Sequence, residues 1–178
     1  MPMPFFVSLF LAIFAYAASA AADAPKPVTA AAATDSAASG SKGKLVVQSE
    51  TGKRYGIQVT RDSTVSPTAQ PSEVKLIGES KGVALVVVDS YPSRPGGMSL
   101  CQAGKERFLR IISLVQKAPE ETFRVKLESC RDNIELASPG IEWLPASSAI
   151  RIHWLLGPAA NGRSETRTLR IGQDGKPV

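Results

Sequence analysis

The chain predicts an all-β domain, an antiparallel β-sandwich or partly open barrel carrying one disulfide. Three observations carry that expectation. After Lys44 the apolar residues recur with period two rather than with the period of a helix. Gly, Pro and Asn punctuate the chain at short intervals, as tight turns between short strands require. The only two cysteines, Cys101 and Cys130, follow an N-terminus of export type, so a disulfide between them can form and persist.

Met1 to Tyr16 is an apolar run without a charged side chain, followed by Ala17-Ala18-Ser19-Ala20-Ala21. This is the pattern of a signal peptide with an A-x-A cleavage site, so residues 1–20 are expected to be removed, with Ala22 as the alternative cleavage point. A membrane anchor is the competing reading, but Phe5 to Ala22 is at the short limit for a span and turns Ala- and Ser-rich. The mature protein is therefore not expected to be integral to a membrane. Residues 21–43, mostly Ala, Thr, Ser and Pro, read as a flexible linker with almost nothing large enough to pack. Residues 44–178 form one β-rich domain of a size that buries a real core.

Within that domain, Tyr55, Ile57 and Val59 alternate with Arg54, Gln58 and Thr60. The continuous run Val83 to Val88 predicts a central strand buried on both faces. Residues 107–116 fit a strand or a helix; the β-branched Ile111, Ile112 and Val115 and the Pro119 turn favour strand. Phe123, Val125 and Leu127 alternate with Arg124, Lys126 and Glu128. Their odd phase turns even at Ile134 and Leu136, which predicts a bulge near Ser129-Cys130. Ser138-Pro139-Gly140 and Gly78 to Gly82 read as turns. Ile150, Ile152, Trp154 and Leu156 share one face, with Arg151 and His153 on the other. A two-residue turn at Asn161-Gly162 would set Trp154 opposite Leu169, Ile152 opposite Ile171 and His153 opposite Arg170.

A Cys101–Cys130 disulfide closes a loop of about 30 residues, worth ~3.5 kcal/mol by chain entropy. Its wide spacing marks it as structural rather than redox-active.

Catalytic patterns are weak. His153, the single histidine, lies on an outer face, where no local group supplies a nucleophile or an orienting partner. Gly97 to Cys101 approaches a nucleophile elbow without its second glycine, and Ser41 to Lys44 matches S-x-x-K at the linker boundary. Glu128, Asp132, Glu135 and Glu142 are loosely placed acids with no paired geometry implied. No phosphate loop, metal-ligand spacing or cofactor motif is present, so no cofactor or metal is expected and the chain does not read as an enzyme.

The net charge is +5, with the basic residues scattered singly and no aromatic platform, which excludes a nucleic-acid partner. The segment least like scaffold runs from Asp89 to Met98 and on to Cys101. Tyr91 and Arg94 are hot-spot residue types; Arg94 sits among prolines that stiffen it, and Met98 completes a partner-binding set. The expectation is a periplasmic or secreted binding protein of the immunity or inhibitor type, which blocks a toxin or hydrolase. The alternative is a module that binds glycan, lipid or assembly machinery of the cell envelope.

Overall fold

The computed structural model describes residues 42–94, 101, 104–159 and 163–178. Nine strands make two sheets: β1 Lys42–Gln48, β2 Arg54–Thr60, β3 Glu73–Ser80, β4 Ala84–Pro92, β5 Lys105–Ser113, β6 Glu120–Ser129, β7 Glu135–Leu144, β8 Ala149–Leu156 and β9 Glu165–Arg170. Six strands form one sheet in the order β1-β2-β6-β5-β4-β3, and β7-β8-β9 form the second. The large sheet curls until β1 lies beside β3, which makes a nearly closed barrel, and the small sheet packs on its outside. All-β architecture and the Cys101–Cys130 disulfide are both as the sequence implies.

Residue parity decides which core each side chain joins. Leu85 and Val87 of β4 and Ile112 of β5 point into the barrel, where they meet Leu45, Val47, Ile57, Val59 and Val74. Ala84, Val86 and Val88 of β4, with Leu109 and Ile111 of β5, point the other way onto Ile150, Ile152 and Trp154 of the small sheet. β4 is therefore buried on both faces, and its burial runs from Ala84 through Tyr91, beyond the expected Val88. The segment left open between strand and helix is strand β5, ending at Ser113.

Four expectations are corrected. Leu169 faces Ile150 rather than Trp154; Trp154 faces Glu165, Ile152 faces Arg167, and His153 faces Thr166. The ladder ends at Trp154–Glu165; beyond it Gly157 N donates to Arg163 O at 2.9 Å, and Pro158 has no N–H to extend the pairing. Asn161-Gly162 lies outside the described residues. The displacement is by an even number of residues, so every side chain keeps its face.

The phase change after Leu127 comes from a tight turn rather than from a bulge at Ser129-Cys130. Ser129 and Ile134 exchange backbone hydrogen bonds of 2.9 and 3.0 Å, with Asn133 at a left-handed φ of 51°. The bulges of β6 fall earlier, where Thr122 and Leu127 are skipped in the pairing with β5. Ser138-Pro139-Gly140 is not a turn between strands but an irregularity within β7, where pairing jumps from Leu136–Trp154 to Ile141–Ile152. Gly78 likewise lies inside β3, and the turn itself is Lys81-Gly82.

Gly78 has a packing reason. A Cβ there would lie 2.5 Å from the Trp143 ring, so only glycine lets the small sheet close on β3. Gly78→Ala is expected to destabilise the domain by about 1–3 kcal/mol in urea unfolding, through overpacking. An unchanged midpoint would contradict this contact.

Candidate functional site at the disulfide end of the barrel

The barrel interior is layered along the β4–β5 ladder, in which Leu85 faces Ile112, Val87 faces Arg110, Asp89 faces Phe108 and Tyr91 faces Glu106. The apolar lower layers give way to an ionic layer. Arg110 Nε donates to both Asp89 oxygens at 2.9 Å, and its Nη1 donates to Glu121 Oε1 at 2.5 Å. The Tyr91 hydroxyl donates to Asp89 Oδ2 at 2.7 Å. Arg110 and Asp89 are both essentially without solvent exposure.

The location of this layer follows from the sheet. β2 and β6 are parallel neighbours that pair only at Gln58–Glu120 and then separate. On its β6 side the backbone of Thr60 thereby has no ladder partner, and side chains take that place. Thr60 N donates to Glu121 Oε2 at 2.6 Å, while Thr60 O accepts from Arg110 Nη1 at 2.9 Å and Arg124 Nη1 at 2.8 Å. Phe108 collects the cations, with Arg110, Arg124 and Lys126 at 5.4, 5.9 and 5.9 Å from its ring centroid.

Burial pushes the Asp89 carboxyl up against the pull of the Arg110 guanidinium and the Tyr91 hydroxyl. Burial also pulls Arg110 down, but the carboxylates of Asp89 and Glu121 outweigh it and hold the guanidinium above its ordinary value. The two directions conflict over whether the pair is charged. The geometry decides for the ionised pair, since a guanidinium keeps its proton and directs Nε at both carboxylate oxygens. Burial and the neighbouring Asp89 push the Tyr91 phenol well up, so it stays a donor.

The β2–β3 connection, residues 61–72, folds over the barrel mouth. Val65 packs on Tyr91 and Phe108. Arg61 Nη1 donates to Ser66 O and Ala69 O at 3.3 and 2.7 Å. Asp62 Oδ1 accepts from Thr64 N and Thr64 Oγ1 at 3.0 and 2.7 Å and lies 3.0 Å from Lys126 Nζ, which also pairs with Asp132.

Above Tyr91, Glu106 is fully buried; Ser93 Oγ donates to its Oε1 at 2.6 Å, and its Oε2 has no hydrogen-bond partner among the described residues. Gly104 sits beside it, where a Cβ would come within 2.7 Å of Cys130 Cβ and 2.8 Å of Ser93 Oγ.

The expected partner-binding residues separate. Tyr91 is a core residue, 2% exposed and packed edge-on against Phe108 at 6.2 Å, so it is not available to a partner; this corrects its assignment. The odd phase it shares with Leu85 and Val87 already turns it inward. Arg94 is exposed, with its amide fixed to Thr64 O at 2.7 Å. Met98 lies outside the described residues. Cys101 and Cys130 are bonded, with Cα atoms 5.7 Å apart. His153 does lie on the outer face, but Thr166 supplies a local hydroxyl that no residue pattern marks: Nδ1 is 3.0 Å from Thr166 Oγ1. No group among the described residues orients the other ring nitrogen.

Sequence reading missed the ionic layer. Its signal was parity: Asp89 is in phase with Leu85 and Val87, and Arg110 with Phe108 and Ile112, so both charges were destined for the core.

Among the described residues no group of three or more His, Cys, Asp and Glu side chains is placed to hold a metal ion, and no helix is long and apolar enough to cross a membrane. Searches of protein-family models, curated proteins and solved structures find no match for this chain.

Two predictions follow from the ionic groups. Arg110→Met leaves Asp89 and Glu121 buried without their cation, so equilibrium unfolding is expected to show a loss of about 3–5 kcal/mol. Stability equal to wild type would mean that the layer relaxes around the missing charge. For Asp62, burial alone would raise the carboxyl, but the Thr64 amide and hydroxyl and Lys126 outweigh it and hold it below its ordinary value. A lowered carboxyl stabilises the fold above its unfolded pKa, about 4, and that contribution is lost as pH falls through the folded value. The wild-type advantage over Asp62→Asn should therefore be full at neutral pH, begin to fall at about pH 4, and be lost as the pH drops further through the folded value. A difference independent of pH would rule this role out.

Proposed function

We propose that the chain is an exported, non-enzymatic binding protein, periplasmic or secreted, of the immunity or inhibitor type. It blocks a toxin or hydrolase with the disulfide end of its barrel. The supporting observation is Arg94, an exposed guanidinium on a backbone that is already ordered. Its amide is bonded to Thr64 O, and Ser93 before it bonds Gly104 O at 2.9 Å beside the disulfide. A cation presented this way loses little freedom on binding, which is what a cleft-filling inhibitor needs. The interior supports the same reading, because its polar groups are largely occupied with one another.

The test is affinity capture from an envelope extract with tagged mature protein, wild type beside Arg94→Ala. Tyr91 is left intact because its loss would disturb the core. The expected result is one protein recovered in equal amounts, its hydrolytic or toxic activity blocked, with Arg94→Ala weakening the complex about tenfold or more. Equal retention of both proteins on lipid or cell-wall material would reject this reading in favour of the envelope-binding module.

A further inference from the structure

Three separate chain segments meet at one point beside the disulfide, and each continues into an exposed cation. Ser93, Gly104 and Cys130 are mutual neighbours. Ser93 N donates to Gly104 O at 2.9 Å, and a Cβ on Gly104 would touch both Cys130 and Ser93. Cys101 joins the same point through its bond to Cys130 and through its carbonyl, which accepts from Gly104 N at 3.0 Å. The next residues along the three segments are Arg94, Lys105 and Arg131, all exposed. Among the described residues none of the three lies within ion-pair distance of a carboxylate.

We propose that Arg94, Lys105 and Arg131 form one docking patch for an acidic face of a protein partner. This rests on the reading that the chain binds another protein, and it names the chemistry recognised. The covalent and hydrogen-bonded junction fixes the bases of the three side chains, so only their outer bonds are ordered on binding. Arg94 and Arg131 offer planar forks that match carboxylates, and Lys105 adds a point charge between strand ends. The surroundings favour a compact carboxylate cluster over a continuous anionic surface. Asp132, paired with Lys126, directly follows Arg131, and Glu128 pairs with Arg107, two residues beyond Lys105. A lipid bilayer or sulfated glycan spreading beyond the three cations would meet those carboxylates, and like charges in register are costly. A protein face with two or three acids is small enough to avoid them.

The measurement is binding of a labelled polyglutamate peptide to the mature protein by fluorescence anisotropy at low ionic strength. Two triple variants carry the same change in net charge. One is Arg94→Gln, Lys105→Gln, Arg131→Gln. The other is Arg54→Gln, Lys117→Gln, Arg170→Gln, three exposed cations elsewhere. All six positions are exposed, so both variants are expected to fold, as circular dichroism verifies. The first triple should weaken peptide binding about tenfold or more and flatten its salt dependence, while the second stays within about twofold of wild type. Equal losses in both triples would reduce the effect to net charge and overturn the patch. So would stronger binding to anionic phospholipid vesicles or heparin than to the peptide, abolished by the same three residues. An unaltered first triple alongside a captured and blocked enzyme would overturn the patch while leaving the inhibitor reading standing.

Discussion

One arginine organises the barrel. Arg110 ties β5 to Asp89 on β4, to Glu121 on β6 and to the carbonyl of Thr60 at the end of β2. A charge buried this far from water is tolerable only if every direction it faces is answered, and here two carboxylates and a carbonyl answer it. The apolar layers below it need only approximate shape, whereas the guanidinium demands particular atoms from three neighbouring strands. It therefore sits where β2 and β6 separate and bridges the gap that their divergence leaves.

The strands themselves were legible because half-buried sheets write alternation into the chain. Tyr55-Ile57-Val59 and Phe123-Val125-Leu127 show it directly, and the unbroken run at Val83 to Val88 announces a strand with a core on each side. Register was not legible, because it is set by where a ladder ends. Gly157 closing onto Arg163 moved Leu169 to Ile150, and no pattern of apolar residues distinguishes displacements by an even number. The Ser138-Pro139-Gly140 stretch carried turn residues but sits inside a strand, since an irregularity in β7 uses the same residue types as a turn. Tyr91 was misread because its prolines and glycines suggested a loop, while its phase along β4 told the truth.

The candidate site divides in the same way. Arg94 and the two cysteines stand out by residue type, and the structure keeps them at one end of the molecule. Lys105 and Arg131 carry no mark in the chain. They join Arg94 only because Ser93, Gly104 and Cys130 pack against one another, a juxtaposition made by strands that lie far apart in sequence. The β2–β3 connection is similar: its order comes from Arg61, Asp62 and Lys126 gripping it, and a polar, proline-containing stretch gives no hint of that.

The closure at Thr60 separates chain order from assembly order. β1 and β2 form a local hairpin, yet on the β6 side their hydrogen-bonded attachment to the sheet is one parallel bridge plus side chains from β5 and β6. The Thr60 and Glu121 ends of that attachment are 61 residues apart. Of the described strands β1 and β2 are made first, and their inner residues Leu45, Val47, Ile57 and Val59 stay uncovered until β3, β4 and β5 follow to pack on them. The final stretch then locks β5 to β6 beside this attachment, where Ser113 Oγ donates to Asp174 O and Thr122 Oγ1 to Gly175 O. A ribosome-bound or truncated chain ending before β3 holds a sticky hairpin whose apolar face has none of its barrel partners to pack on.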